Sequence, residues 1–421
     1  MENKKTRDSL LIGLASIGGM LELYDFVIYG IFSVYFAGLF FPNDNSFISI
    51  IESYSVFILG YITRPLGGVC FTYIGDKFGR KNVLILTLLV MGLSSFGIVL
   101  LPTYYQIGIL APILLISLRL IQGLALGGEL PSAFVFIFES LPKKIPIAFG
   151  IVMFSVNLGV LLSMIVNKVL IINLNQEQMH IFGWRIPFLI GGILCFISFY
   201  IRKKLYESKE FKQIKSNNIH SLFNLFANHF KKLLLGIGIT SIMAILVVSI
   251  YIFMPTYLRS IVKVNLVYVG DIVIIGMICN ALSHLIFCFA MYYISPIKLF
   301  LAYLIGAIFL FPLGYYLISI EYFIPGLMLL AALGGIAGVI TPVLITNLFP
   351  TDTRLAGVAM SYNLSIVFFG GLSPIIIAYF SSLGFNKFII NPIYTVGTIL
   401  LIALPCAYIY FKMNIINKFS N

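Results

Sequence analysis

Twelve long apolar runs govern what this 421-residue chain can fold into, at about 10–41, 48–74, 83–101, 108–138, 145–172, 183–201, 233–257, 267–292, 297–318, 322–347, 355–383 and 391–411. Most have the roughly 20 residues that a helix needs to cross about 30 Å of hydrocarbon. Composition agrees: 60% of residues are hydrophobic, 10% are charged and the mean hydropathy is +1.05, far outside the range of a soluble domain. The 38 Phe, 24 Tyr and 36 Gly suit aromatic belts and close helix contacts. The expectation is an all-α polytopic membrane protein. Its basic start, Lys4, Lys5 and Arg7, superficially resembles a signal peptide. The run that follows is too long for one, carries Glu22 and Asp25 and offers no small-residue cleavage site, so it reads as helix 1.

Cations fix the expected orientation. With the N-terminus in the cytoplasm, one side collects Lys4, Lys5, Arg7, Lys77, Arg80, Lys81, Lys143, Lys144, the basic segment 202–232, Lys298, Arg354, Lys412 and Lys418. The other side holds Lys168, Arg185, Arg259, Lys263 and Lys387, and Arg64 and Arg119 fall inside spans. This excess places both termini in the cytoplasm. It also accounts for the net charge of +12 as a topology signal, with no nucleic-acid partner. Segment 202–232 is the one long polar stretch, and it divides the spans six and six. The expected domains are therefore a six-helix half at 1–201, a basic linker at 202–232 and a second half at 233–421. Within the linker, SLFNLFANHFKK (221–232) reads as a short amphipathic helix on the anionic leaflet.

Charges inside spans cost about 2.5–3.5 kcal/mol or more each at mid-membrane, so they point to function. In GGMLELYDFVIYG (18–30), Glu22, Asp25, Phe26 and Tyr29 fall within about a 100° arc of one helical face. In RLIQGLALGGE (119–129), Arg119, Gln122 and Glu129 share an arc of about 80°, beside Gly123 and Gly127 at small-xxx-small spacing. Arg64 adds a charge to helix 2. Three embedded acids (Glu22, Asp25, Glu129) then face two embedded arginines (Arg64, Arg119), which leaves one carboxyl without a cation. A carboxyl of that kind in a low dielectric takes up a proton more readily. One reading is a proton-coupled solute site formed by Glu22, Asp25, Tyr29, Arg64, Arg119, Gln122 and Glu129. The other is a static ion-pair network that only fixes helix packing.

The turn GDKFGRK (75–81) joins two apolar runs and holds Asp76, Lys77, Gly79, Arg80 and Lys81. It resembles the helix 2–3 loop of the major facilitator superfamily, G-x-x-x-D-[RK]-x-G-R-[RK]. Further pieces run along most of the chain: LYDFVIYG (23–30), RPLGG (64–68), RLIQGLALGGE (119–129), FGWRIPFLIGG (182–192), IRKKLYESKEF (201–211), LFPTDTRLAGVAMSYN (348–363) and FGGLSP (369–374). Together they resemble the metabolite:proton symporter family, which includes proline/betaine, citrate, α-ketoglutarate and shikimate transporters. The resemblance implies twelve helices in two six-helix halves, alternating access and a bacterial-type inner-membrane location. It also implies a carrier that works as a monomer on a small solute and protons within the lipid bilayer. In that scheme Asp76, Gly79, Arg80, Lys81 and Glu139 form a cytoplasmic gate. Asp76 meets the start of helix 11 near Thr353–Ala356, and Arg80 reaches Glu139.

Several positions depart from the family pattern. Leu23 stands where tryptophan is usual, and Thr72 replaces the first glycine of the loop signature. The segment YYISPIK (292–298) lacks the D-x-x-G-R pattern, and Asn347 replaces an acid before Phe349-Pro350. The chain ends soon after helix 12, so osmotic gating through a coiled-coil tail is not expected. An enzyme is not expected either. His180, His220, His229 and His284 are scattered, and there is no H-E-x-x-H, G-x-S-x-G or P-loop pattern. The five cysteines lack metal-site spacing and read as inert core thiols. No cofactor is implied, and the proton gradient supplies the energy. With three acids against two arginines and Tyr24, Phe26 and Tyr29 nearby, the solute expectation tilts toward a zwitterion such as proline or betaine. Solute exchange, passive facilitation and carboxylate:proton symport stay open.

Overall fold

The computed structural model describes residues 2–43, 46–203, 221–247, 254, 257–258, 262–264, 266–371, 373, 376 and 390–419. Every regular element among them is helical. Among the described residues ten helices are long and apolar enough to cross a membrane, and they coincide with ten of the twelve expected spans. Of the remaining two, one is broken and the other is described only in part. Span 48–74 consists of α2 (Ser46–Ile62) and α3 (Arg64–Phe78), which meet at Thr63. Pro65 supplies no N–H there, so the helix breaks two residues ahead of it. Span 355–383 begins as a helix at Arg354–Ser365 and passes into a π-helical stretch at Ile366–Gly371. Most of its remainder lies outside the described residues, as do 204–220 of the linker and most of 248–261 at the end of span 7.

By its internal contacts the chain divides into two compact units, Met1–Ser140 with Ser155–Ile219, and Leu141–Phe154 with His220–Asn421. The first contains α1 (Glu2–Phe40), α2, α3, α4 (Arg80–Leu100), the short α5 (Tyr104–Ile107) and α6 (Leu110–Ser140). Most of α7 (Ile145–Asn173), the turn α8 (Gln176–Gln178) and α9 (Arg185–Arg202) complete it. Gly79 alone separates α3 from α4, at φ 101°, a backbone conformation that side chains with a Cβ rarely adopt. Helix α6 lies backbone to backbone on α2 and α3. A Cβ on Gly123 would come within 2.4 Å of the Gly60 carbonyl oxygen, and one on Gly127 within 2.0 Å of that of Arg64. The glycine spacing on helix 4 is therefore the seam that lets α6 reach Arg64 and helix 1.

Toward the far end of this unit, Tyr29, Phe32, Phe36 and Phe40 of α1 pack on Trp184, the residue before α9, and on Phe188 of α9. Ring centroids of Phe36 and Phe40 lie 5.5 and 5.6 Å from Trp184. Arg185 ties the start of α9 to the end of α4, donating from Nε to the Val99 carbonyl and from Nη2 to the Leu101 carbonyl, both at 3.0 Å. These contacts give the GWRIPF piece a structural role.

The second unit contains α10 (Ser221–Asn228), α11 (Phe230–Val247), α12 (Leu266–Tyr293), α13 (Pro296–Ser319) and α14 (Phe323–Leu348). Helices α15 (Arg354–Ser365), α16 (Ile390–Thr398) and α17 (Leu404–Phe419) follow. The helix expected over 221–232 is shorter, because α10 ends at Asn228 and Phe230–Lys232 open α11; in α10, Leu225 is buried while Phe223 and Phe226 are exposed. Helices α12 and α14 are joined by Asn280, whose Nδ2 donates to the Ala331 carbonyl at 2.7 Å. His284 is buried beside this contact, with Nδ1 2.7 Å from the Asn280 carbonyl one turn back on the same helix and its ring against Gly338 of α14. Among the described residues no group of His, Cys, Asp and Glu could hold a metal ion. The reading of all five cysteines as core thiols needs correction: Cys195 and Cys288 are buried, Cys279 and Cys406 half-buried, and Cys70 exposed. An apolar run fixes a residue's depth in the membrane but leaves open whether it faces protein or lipid.

Candidate functional site

All seven candidate site residues lie in the first unit and are buried: Glu22, Asp25 and Tyr29 on α1, Arg64 on α3, and Arg119, Gln122 and Glu129 on α6. They form three separate groups stacked along the helices. Nearest the end that carries the 75–81 turn, Glu129 accepts from Arg202 Nη1 at 2.7 Å and makes a short hydrogen bond with the Thr87 hydroxyl. Arg202 also donates to the carbonyls of Leu14 at 2.9 Å, Leu84 at 2.7 Å and Ala15 at 3.3 Å. One guanidinium thus binds α1, α4 and α6 to the last residue of α9.

This overturns the count of charges. Arg202 reads in the sequence as the first cation of the cytoplasmic linker, yet its side chain is fully buried. The embedded arginines are three, not two, and Glu129 already has one. A cation closing an apolar span is usually solvated, but here the four acceptors on neighbouring helices draw it inward.

The second group is Glu22 with Arg64, whose Nη2 lies 3.0 Å from Glu22 Oε1. The third is built differently. Asp25 accepts from Ser95 Oγ at 2.5 Å and from Gln122 Nε2 at 2.7 Å, both neutral donors. Gln122 Oε1 in turn accepts from Arg119 Nη1 at 2.8 Å. A guanidinium only donates, so Arg119 fixes the amide oxygen toward itself and thereby turns the NH2 group toward Asp25. The Arg119 guanidinium carbon sits 3.9 Å from the centre of the Tyr29 ring and 5.7 Å from that of Phe26, a cation–π contact in a buried setting. The helical stripe on α6 therefore brings Arg119 and Gln122 to Asp25 and Tyr29, and it leaves Glu129 two turns away with Arg202.

Sequence reasoning missed Ser95, Thr87 and Arg202. The hydroxyls carry almost no signal in an apolar helix, because each can satisfy itself on the carbonyl four residues earlier. In the 75–81 turn, Arg80 Nη1 donates to Asp76 Oδ1 at 2.7 Å and to the Gly75 carbonyl at 2.9 Å, capping the end of α3. Lys81 is half-buried beside Arg80, and Glu139 is buried in the last turn of α6. Helix α15 starts at Arg354, within the range expected for helix 11.

Buried charges spread over packed helices of membrane length define a polytopic solute carrier. The chain belongs to the Major Facilitator Superfamily, whose family model matches residues 15–372, and its similarities place it with the metabolite:proton symporters. It is 30% identical over 386 residues to a putative proline/betaine transporter of Staphylococcus aureus, covering 89% of this chain and 82% of that protein. It is 30% identical over 404 residues to the proline/betaine transporter of Salmonella typhimurium, covering 87% and 77%. The glycine betaine/proline/ectoine/pipecolic acid transporter OusA of Dickeya dadantii is also 30% identical, over 403 residues covering 87% and 76%. In fold, the proton:xylose symporter XylE bound to 6-bromo-6-deoxy-D-glucose superposes with a TM-score of 0.80 at 16% identity, over 97% of this chain and 96% of that one.

Proposed function

We propose that this chain is a proton-coupled symporter of a small zwitterionic solute of the proline or betaine type, working by alternating access in a bacterial inner membrane. Support for the solute class comes from the three relatives described as proline or betaine transporters. The observation that carries the coupling is the contrast among the three buried acids. Glu22 and Glu129 are each ion-paired to an arginine, whereas Asp25 is held by the neutral groups of Ser95 and Gln122. Protonating either paired acid would strand a buried cation, which costs several kcal/mol. Protonating Asp25 breaks no direct ion pair, and Arg119 keeps the Gln122 amide oxygen and the Tyr29 ring. Asp25 is the proton carrier, and Arg119, held against Tyr29, is the group that meets the solute carboxylate. The paired acids keep the helices of the half in register.

In this reading the halves 1–201 and 233–421 move about the linker, the 75–81 turn with Glu139 gates the cytoplasmic side, and one chain suffices. No cofactor takes part, and the chain catalyses no covalent reaction.

The test is uptake into proteoliposomes of labelled proline, glycine betaine, α-ketoglutarate and citrate, with an imposed proton gradient and without sodium. Proline or betaine should accumulate, and a protonophore should stop it. Accumulation undiminished without either gradient would favour an exchanger, and preference for citrate or α-ketoglutarate would replace the zwitterion with a carboxylate.

A further inference from the structure

Two of the three buried hydroxyls of helix α4, those of Thr87 and Ser95, reach carboxylates. Each lies between a carboxylate and the carbonyl one turn back. Thr87 Oγ1 is 2.9 Å from the Val83 carbonyl and bonded to Glu129, while Ser95 Oγ is 3.0 Å from the Met91 carbonyl and 2.5 Å from Asp25 Oδ1. A hydroxyl has one hydrogen, so it donates to only one of its two neighbours at a time. At Glu129 the choice is settled by Arg202, which keeps an ionised acceptor in place. At Asp25 no arginine touches the carboxylate, and the choice depends on the proton.

We propose that Ser95 is the positioning residue for proton loading at Asp25, with a hydroxyl that turns between Asp25 and the Met91 carbonyl as the carboxyl loses and gains its proton. The inference rests on the assignment of Asp25 as the proton carrier. With Asp25 ionised, Ser95 donates to Oδ1, Gln122 donates one Nε2 hydrogen to Oδ2 and its second to Ser95 Oγ, at 3.0 Å. When a proton from water bonds to Oδ1, the new O–H donates to Ser95 Oγ and the serine hydrogen swings to Met91. Oδ2 still accepts from Gln122, whose Oε1 still accepts from Arg119. Ser95 Oγ then accepts two hydrogen bonds and donates one, which is its full capacity. Proton gain and loss therefore leave the Asp25 carboxyl, the Ser95 hydroxyl and the Gln122 amide each hydrogen-bonded in a buried site.

Packing restricts the carboxylate to these partners. A Cβ on Gly191 of α9 would already be 3.3 Å from Asp25 Oδ1. The other ionisable groups facing Asp25 are Tyr24 and Arg119, with Cys195 on α9. Tyr24 is committed to the Pro187 carbonyl at 3.0 Å, and Cys195 is a buried thiol, so neither duplicates the serine.

The experiment compares Ser95→Ala, Ser95→Thr and Thr87→Ala in proteoliposomes, with labelled proline, measuring proton-driven accumulation and solute counterflow separately. Ser95→Ala removes the donor that stabilises ionised Asp25, so proton release becomes slow. Accumulation should fall about tenfold or more, the factor set by one lost hydrogen bond to a charged group. Counterflow, which needs no net proton release, should stay within about twofold of the parent by comparison. Ser95→Thr restores the hydroxyl and should restore accumulation, and Thr87→Ala should not separate the two rates. Ser95→Cys keeps the volume and weakens the donor, and it carries the test if Ser95→Ala fails to fold.

A readout independent of the solute is the infrared carbonyl band of protonated Asp25, identified by its absence in Asp25→Asn. It should move to higher frequency in Ser95→Ala and stay in place in Thr87→Ala. Unchanged accumulation and an unmoved band in Ser95→Ala would overturn the proposal, as would equal loss of counterflow and accumulation in a folded variant. If Asp25→Asn itself accumulates proline normally, the proton-carrier assignment fails. If Asp25→Asn abolishes accumulation and Ser95→Ala does nothing, only the role of Ser95 fails.

Discussion

Asp25 and Glu129 are both buried acids of the same half, both bonded to a hydroxyl of α4, and their surroundings differ in one respect. Glu129 meets a guanidinium that also donates to three carbonyls on two further helices. Asp25 meets an amide and a hydroxyl, with its nearest arginine one residue removed behind Gln122. The first arrangement is locked, because losing the charge on either partner leaves the other exposed to a low dielectric. The second can change its charge with small rearrangements of hydrogen. A membrane carrier needs both, a part that stays rigid through the cycle and a part whose protonation can alternate.

The largest expected effect comes from removing the two charges in turn. Asp25→Asn should abolish proton-driven accumulation while leaving counterflow measurable, since the neutral amide imitates the loaded carboxyl. Glu129→Gln should instead reduce the amount of folded protein and leave the ratio of accumulation to counterflow as in the parent. Equal effects on that ratio from the two variants would erase the distinction between a switching acid and a locked one.

Removing the cation tests the lock directly. Arg202→Leu leaves Glu129 buried without its partner and should destabilise the protein by about 3–5 kcal/mol. Thermal unfolding of the detergent-solubilised protein would show it as a lower midpoint. The double variant Arg202→Leu with Glu129→Leu should regain much of the loss, because two apolar side chains of similar bulk leave no stranded charge. A single variant as stable as the parent would mean that neither the ion pair nor the hydrogen bonds from Arg202 to the carbonyls hold these helices together.

Legibility in the sequence followed the same division. The spans were readable because bilayer thickness imposes a length on each apolar run, and the glycine pair Gly123 and Gly127 marked the seam of α6 correctly. Asp25, Arg119 and Gln122 could be grouped because helical periodicity puts them on facing stripes. Arg202 was misplaced because a cation at the end of a span looks like a topology signal, and only its neighbours in space reveal that it turns inward. Ser95 and Thr87 were invisible for a related reason. A hydroxyl in a helix can always fall back on its own backbone, so its sequence context does not tell whether it also serves a carboxylate.

A smaller effect should separate glycines that carry the seam from those that do not. Gly127→Ala puts a methyl 2.0 Å from the Arg64 carbonyl oxygen, too close to backbone to be relieved by a rotamer change. It should cost about 1–3 kcal/mol and disturb the Glu22–Arg64 pair, since α3 must move away. Gly38→Ala on α1 has open space within 4 Å and should be neutral or stabilising by about 0.5–1 kcal/mol, the ordinary gain of alanine in a helix. Equal midpoints for the two variants would show that close backbone contact is not what positions α6.

The smallest effect is expected at the 75–81 turn. Asp76→Asn keeps an acceptor for Arg80 Nη1 but removes the charge, and charge-assisted hydrogen bonds are about twice as strong as neutral ones. Arg80 retains the Gly75 carbonyl, so stability should fall by about 1 kcal/mol or less. Transport should respond more than stability if the turn gates the cytoplasmic side. The measurement is labelling of single cysteines placed along α1, in a background without the native ones, since exposed Cys70 would otherwise react. Faster labelling toward the end that carries the turn and slower labelling toward the other would mark a shift of the carrier toward the inward-open state. If both sets of positions label as in the parent and uptake is normal, the Asp76–Arg80 pair belongs with the locked elements of the fold, and the gate lies elsewhere.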